Sequence, residues 1–379
     1  KQKEDEMKLS FDEKFMHEAI QLAELGIFST HPNPSVGSVV VKDGEIVGKG
    51  FHLRAGLKHA EINALEQAGD RSKGSTLYVT LEPCSFKGRT PACAKAIINA
   101  GVARVVVGTI DPDPRNSGRG IEMLRGAGIK VLTNCLEAET SKLVKGQIKR
   151  FLLGRPFVRL KLAMSLDGKT ALSDGQSKWI TSEEARSDVQ KLRAISSAIV
   201  TGIGTILHDD PSLSVRLQDL DFPNRREAMS IERPVYVLDS RLRIPLHSKV
   251  LERSSTVLVA LEKEPKERQY ENEILYAKDK SGRIDLPLFL NELANREHSN
   301  VLFECGATLA GALVEEKLFD EIILYVAPKF LGNSSKSLLM LPELARMSDY
   351  EKLEIKDVKK VGDDIRVILS SKDKGAKDD

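Results

Sequence analysis

Residues 37–84 read "GSVVVKDGEIVGKGFHLRAGLKHAEINALEQAGDRSKGSTLYVTLEPC", and they decide the fold of the first half of the chain. Two apolar runs flank Asp43-Gly44, the strongest short-range signal of a β-hairpin. "HAEINALEQAG" spaces its apolar residues as a helix and stops at Gly69. "STLYVTLE" returns to a strand. Working outward, "FDEKFMHEAIQLAELG" predicts a helix before the hairpin. Helix "PACAKAIINAG", strand "ARVVVGTI", helix "GRGIEMLRGAG" and strand "IKVLTN" follow it. The expectation is an α/β domain whose sheet is mostly parallel after the hairpin, with helices on both faces.

The same stretch carries chemistry. His59 and Glu61 open the helix, and "TLEPCSFKGRTPAC" (residues 80–93) supplies Cys84 at a strand end and Cys93 at the next helix start. Residues two apart on an ideal helix point about 200° apart, so His59 and Glu61 can share a site only at the helix mouth. One imidazole nitrogen and two thiolates leave a fourth zinc position for water, the catalytic pattern. Glu61 is then the general acid/base beside that water, not a ligand. Singly, each residue has an ordinary reading: a structural histidine, or cysteines buried as small hydrophobes. Together, H-x-E followed by P-C is the signature of zinc-dependent nucleobase deaminases.

The chain has 379 residues, too many for that site alone. "RFLLGRPF" punctuates it with Gly154 and Pro156, dividing it into domains at 7–150 and 151–370, with a polar tail at 371–379 expected to be disordered and Met7 as a natural start. Strand "FVRLKLAMSLDG" restarts the pattern. Helix "SEEARSDVQKLRA", strands "SAIVTGIG", "PVYVLDS", "STVLVA" and "NVLFECG", helix "TLAGALVEEKL" and strand "DEIILYVAP" continue it. A closing antiparallel pair ends it, and residues 218–232 read as a surface loop. A net charge of +2 argues against nucleic-acid and membrane-surface partners. Four cysteines are too few for a disulfide scaffold and favour a reducing compartment, the cytoplasm.

The stretches "THPNPSVGSVVVKDGEIVGKGFHLRAGLKHAEINAL" and "TLEPCSFKGRTPAC" resemble the bifunctional deaminase/reductase family of riboflavin biosynthesis. The second half resembles that family's reductase domain through "LKLAMSLDGKTA", "SKWITSEEAR", "TGIGTILHDDPSLSVR" and "FECGATLAGAL". The likeness covers roughly residues 10–370. The eight residues between Cys84 and Cys93 separate it from nucleoside and transfer-RNA deaminases, which use C-x-x-C. It implies a cytidine-deaminase-like N-terminal domain and a dihydrofolate-reductase-like C-terminal domain, not a Rossmann domain.

The resemblance makes His59, Cys84 and Cys93 zinc ligands and Glu61 the proton shuttle. It places Asn33, His52 and Arg89 on a phosphoribosyl pyrimidine substrate. In the reductase it places Ser177, Arg193, Leu213, Arg216 and Glu304 on the substrate. Ala163, Trp179, Thr205, Asp209, Ser240 and the turn Gly306, Ala307, Thr308, Leu309 go to NADPH. Arg193 and Arg216 are chemically suited to grip phosphate, and Arg241 beside Ser240 to meet the 2′-phosphate of NADPH. A homo-oligomer is expected. One departure stands out: the family reads C-S-H after the first cysteine, and here Phe86 takes the histidine's place. Two other readings remain open, a deaminase half serving only as scaffold and a nucleic-acid deaminase with an appended domain.

Overall fold

In the computed structural model, which describes residues 10–88, 91–176, 180–261, 270–346 and 350–371, the chain divides into two compact units at Gly154/Arg155. The first unit also takes in Phe222–Ile231. Met7, Arg89, Ser177, Trp179 and residues 372–379 lie outside the described residues.

The first unit runs α1 (Phe11–Glu24), β1 (Gly37–Lys42), β2 (Glu45–Phe51), α2 (Ala60–Ala68), β3 (Thr76–Leu81), α3 (Cys93–Asn99), β4 (Arg104–Thr109), α4 (Arg119–Gly126), β5 (Lys130–Leu132), α5 (Glu137–Leu143) and α6 (Lys145–Leu153). Among the described residues its strands pair in the order β2-β1-β3-β4-β5. β1 is antiparallel to both neighbours, and β3, β4 and β5 are parallel, as the sequence predicts. Strand alternation splits the core in two. Val40, Leu77, Val79, Val105 and Val107 pack with Ala60, Ala64, Ile97 and Leu124 on one face. Val39, Val41, Tyr78 and Val106 pack with Phe15, Met16 and Ala19 of α1 on the other.

Two glycines fix where α2 lies. A Cβ on Gly48 or Gly50 of β2 would run into the carbonyls of Ala64 or Ala60. Their absence lets α2 rest directly on the hairpin, which brings its N-terminus to the carboxyl end of β3. α5 and α6 escape the sequence pattern because α5 is short and polar, burying only Thr140. That hydroxyl reaches Thr109 Oγ1 at 2.7 Å.

The second unit contains β6 (Phe157–Ser165), β7 (Lys169–Ala171), α7 (Glu183–Ile195), β8 (Ala198–Gly202) and α8 (Ile203–Asp209). After α9 (Arg225–Met229), which belongs to the first unit, come β9 (Val235–Leu238), β10 (Val257–Ala260), β11 (Glu273–Tyr276), α10 (Leu286–Asn295), β12 (Asn300–Glu304), α11 (Ala307–Glu315), β13 (Glu321–Ala327), β14 (Lys336–Ser337), β15 (Leu353–Val361) and β16 (Asp364–Ser371). Among the described residues one sheet has the order β11-β10-β9-β8-β12-β6-β13-β16-β15. It is parallel until β16 and β15, which close it as the expected antiparallel pair.

Four expectations change. The strand over "SAIVTGIG" stops at Gly202, and Ile203–Asp209 turns into a helix. Residues 218–232 are not a free loop: Phe222 stacks on Phe28 with centroids 3.8 Å apart, and Asn224 Nδ2 donates to Leu25 O at 3.3 Å. Ser371, read as the start of the tail, pairs within the sheet. β11 and α10 were not anticipated, although Asp285 caps α10 by accepting from Leu288 N at 2.8 Å, just ahead of Pro287.

Candidate active sites

The first site forms where α2, the end of β3 and α3 meet. His59 is the N-cap of α2, with φ −72° and ψ 163°, so it stands outside the helix. This resolves the spacing of H-x-E: the helical angle between positions 59 and 61 does not apply. Ligand atoms of His59, Cys84 and Cys93 all lie within 4.8 Å of one another. His59 Nδ1 is 3.8 Å from Cys84 Sγ and 3.2 Å from Cys93 Sγ. Cys93 opens α3, and its backbone N–H donates to Cys84 Sγ at 3.2 Å. The Cys93 thiol, then opposing burial, then His59 act on Cys84 and hold its thiol down at about 4. Two cysteine sulfurs and an imidazole edge converging on one point suit zinc.

Glu61 sits in the first turn of α2 with only 3 % of its surface exposed. Burial pushes its carboxyl up to about 7, and the Cys93 thiol donates to it. A cation held by the three donors would favour the charged form.

His52 is buried, and both its ring nitrogens are occupied. Nδ1 faces Lys58 O at 3.1 Å and Nε2 meets Asn33 Nδ2 at 3.0 Å. Burial brings its pKa down to about 4, so the ring is neutral, donates from Nδ1 and accepts from Asn33. The sequence suggests a substrate contact or an exposed hairpin residue; the structure makes His52 the support of Asn33. Arg89 lies outside the described residues.

Three acidic or amide residues carry no motif and were missed. Glu82, just before Pro83, is buried and accepts four backbone N–H groups. Those of Asp111 (3.2 Å) and Gly118 (2.9 Å) reach Oε2, and those of Gly120 (2.9 Å) and Ile121 (3.3 Å) reach Oε1. Asp113 forks onto Arg115, whose guanidinium lies over the Phe86 ring, 5.1 Å from its centroid. Asn116 is wholly buried against the cysteine arm. The phenyl ring that replaces the family's histidine therefore has its own partner in place.

The second site is a cavity of about 590 Å³ within the second unit, at the carboxyl ends of β6 and β12. Of the residues expected there, Ala163, Arg193, Thr205, Asp209, Leu213, Arg216, Glu304, Gly306 and Ala307 line it. Arg193 binds Glu304 with Nε–Oε1 2.6 Å and Nη2–Oε2 3.0 Å, and donates Nη1 to Ser214 O at 2.9 Å. Expected as a phosphate grip, it is committed to protein groups. Burial would raise the Glu304 carboxyl, but Arg193 outweighs it and holds it low. Arg216 rests on Asp219 at 2.6 Å and is half-exposed.

Ser240, Thr308 and Leu309 fall outside the lining. Thr308 Oγ1 turns to Met340 Sδ at 3.2 Å, and Leu309 packs on the core. Arg241 does not line the cavity either, whereas Lys249 does. Ser177 and Trp179 lie outside the described residues. Lys161, Arg186 and Gln190 line the cavity and were missed. Lys161 shares β6 with Ala163, and burial lowers its pKa while Glu304 pulls the other way.

The first unit's sheet, three-donor cluster and buried glutamate define a zinc deaminase; the second unit has the dihydrofolate-reductase-like fold of a nicotinamide-dependent reductase. The cytidine and deoxycytidylate deaminase zinc-binding region matches residues 9–109, and the RibD C-terminal domain matches residues 156–367. The chain is 44% identical over 358 residues to the riboflavin biosynthesis protein RibD of Escherichia coli K12, covering 93% of this chain and 98% of that protein. It is similar to the structure of Acinetobacter baumannii RibD, with TM-score 0.88, 41% identity and coverage of 96% and 99% of the two chains. A Thermotoga maritima structure, described as a diaminohydroxyphosphoribosylaminopyrimidine deaminase/5-amino-6-(5-phosphoribosylamino)uracil reductase, matches with TM-score 0.83, 34% identity and coverage of 96% and 99%. The chain belongs to the RibD family, the bifunctional deaminase/reductases of riboflavin biosynthesis. Among the described residues no helix is long and apolar enough to cross a membrane.

Proposed function

We propose that the first unit deaminates 2,5-diamino-6-(5-phosphoribosylamino)pyrimidin-4(3H)-one to 5-amino-6-(5-phosphoribosylamino)uracil, and that the second reduces the ribosyl group with NADPH. The observation that carries the reading is a buried carboxylate, Glu61, beside a three-donor cluster of His59, Cys84 and Cys93. Zinc held by those donors supplies an activated water for attack on an amidine carbon. Glu61 takes the water proton and returns it to the departing amine, so the exocyclic C–NH2 bond breaks, a ring carbonyl forms and ammonia leaves. Asn33, with its amide nitrogen fixed on His52, offers an edge of defined orientation to the pyrimidine. Arg89 meets the phosphate.

In the second unit a bound nicotinamide would supply hydride to ribose C1, which with a proton opens the sugar to a ribityl chain. Thr205, Asp209, Ala163 and the Gly306–Ala307 turn line the cavity and would hold the cofactor. Arg193 keeps Glu304 ionised and aimed into the cavity next to Lys161, while Arg216 stands at the rim toward phosphate. We place both steps in the cytoplasm.

The test is an assay of purified protein with the diaminopyrimidinone phosphoribosyl substrate, with and without NADPH, and products identified by mass. Without NADPH a mass gain of one oxygen for one NH is expected; with it, two further hydrogens. Cys84→Ser should lose zinc and the first step yet still reduce pre-deaminated substrate. Normal deamination by Cys84→Ser, or no oxidation of any nicotinamide by deaminated substrate, refutes the corresponding half.

A further inference from the structure

Asn116 lies between β4 and α4, in a loop that no motif singles out, and 0 % of its surface is exposed. Its amide is used on both sides. Oδ1 accepts from the backbone N–H of Ser85 at 2.9 Å. Nδ2 donates to the carbonyl of Pro83 at 3.3 Å and to Asp111 Oδ2 at 3.1 Å. Pro83 C=O belongs to the peptide plane before Cys84, and Ser85 N–H to the plane after it. One side chain thus holds both peptide planes that meet at the Cys84 Cα, and these planes set φ and ψ of that residue.

We propose that Asn116 is a positioning residue for the deaminase: it fixes the backbone of Cys84 so that Sγ stays on the point shared with His59 and Cys93. The inference rests on reading those three residues as the metal set. The second plane is tied independently, since Ala94 N donates to Cys84 O at 3.1 Å. The first plane has Asn116 as its side-chain donor. The loop that carries Asn116 is itself anchored, because Asn116 N donates to Asp113 O at 2.9 Å and Glu82 gathers the amides of residues 111, 118, 120 and 121.

The site calls for this residue type. A planar amide offers an acceptor and a donor from one rigid group. An aliphatic side chain offers neither and leaves the Ser85 N–H and the Pro83 carbonyl unpaired. Aspartate offers only acceptors and would bring a second carboxylate against Asp111, whose own carboxyl burial already pushes up to about 6. Glutamine adds a methylene to a site with no exposed surface. Metal sites depend on such outer partners, whose removal costs about 10–100-fold in affinity or activity.

The test uses the full-length protein and three variants: Asn116→Ala, Asn116→Asp, and Asn116→Asp combined with Asp111→Asn. In the last, residue 116 again accepts from Ser85 N–H and residue 111 becomes the donor between them, while the Pro83 carbonyl is left without its amide donor, so only the tie to the second plane is restored. The readouts are zinc release to a chelator, the thiolate charge-transfer and d–d bands of the cobalt-loaded protein, deaminase kcat and KM, and reduction of pre-deaminated substrate. Asn116→Ala should release zinc about 10–100-fold faster, shift the cobalt bands and lose kcat more than it raises KM. Its reductase activity should stay within about twofold, because that cavity lies in the other unit. Asn116→Asp should be worse, and the double variant should recover a large part of the difference. Unchanged zinc release and cobalt bands in Asn116→Ala overturn the proposal. So does equal loss of both activities with no recovery in the double variant, which identifies Asn116 as general support of the fold. If Asn116→Ala does not fold, the comparison of the two aspartate variants decides. Wild-type protein that takes up neither zinc nor cobalt refutes the metal set itself, a distinguishable result.

Discussion

Replacing Glu82 by glutamine changes one atom and should still loosen a large part of the deaminase unit. Each carboxylate oxygen accepts two backbone amides, Oε1 those of Gly120 and Ile121 and Oε2 those of Gly118 and Asp111. In glutamine one of these positions becomes an NH₂ group facing two N–H donors. Two buried amides lose their acceptor, at about 1–3 kcal/mol each, and the two that remain lose charge assistance. The sum is about 2–6 kcal/mol, to be set against a total domain stability of about 5–15 kcal/mol. A chain of two units need not unfold in one step, so a single melting temperature is the wrong measurement. Native-state hydrogen exchange at the four amides is the right one. At 1.4 kcal/mol per decade, their exchange should speed up by roughly two to four decades, while amides of the nine-stranded sheet keep their protection. Exchange at those four amides within about fivefold of wild type would refute the reasoning.

Glu61→Gln should lower deamination by about 10²–10⁴-fold, the usual worth of a positioned acid/base, with zinc content and reduction of pre-deaminated substrate unchanged; parallel loss of both activities would contradict separate sites. Phe86→His restores the family's residue but removes the ring beneath Arg115, a contact worth about 0.5–1 kcal/mol at an exposed site. Deaminase kcat/KM should therefore fall two- to fivefold, and a clear gain would show that the phenyl ring is mere filling. For the reductase unit the sign follows from Glu304, whose folded-state carboxyl is held low. Its pairing with Arg193 stabilises fully above the ordinary glutamate pKa of about 4.3 and is lost as pH falls through the lower folded value. In Arg193→Leu only the Lys161 charge still opposes burial, so the carboxyl should rise and the variant's thermal stability should improve on mild acidification where wild type's does not; matching pH profiles would rule this out.

The three-donor cluster was legible because its signals are local. His59-Glu61 and Glu82-Pro83-Cys84 each sit at a strand or helix end that turn residues and apolar spacing already locate. The role of Glu82 was not legible, since its four partners lie 29 to 39 residues away and are backbone groups without side-chain identity. The hydrogen bonds of His52 to Lys58 O and Asn33 Nδ2 were not legible either, because they depend on how the hairpin and the loops around it fold. The reductase cavity draws on β6, α7, the 209–216 loop and β12, so resemblance found nine of its lining residues while spacing alone found little. Lys161 in "VRLKLAM" reads as an ordinary alternating strand, and only the pairing of β6 with β12 shows that it shares a cavity with Glu304. "SAIVTGIG" reads as one strand, but the strand ends at Gly202, which is also the N-cap of the helix that follows.

Because Phe222–Ile231 belongs to the first unit, the polypeptide passes between the units three times, at 154/155, 221/222 and 231/232. A scissor cut after Gly154 therefore does not separate two self-sufficient modules. The N-terminal piece would keep Phe28 and lose the ring that covers it, and the C-terminal piece would carry Phe222 and α9 with nothing to lie on. Supplied in trans, a short peptide of residues 222–231 is the patch the truncated deaminase would be missing. The two catalysts are thus woven rather than strung together, and a gene split at the obvious linker would inherit two damaged surfaces in place of two enzymes.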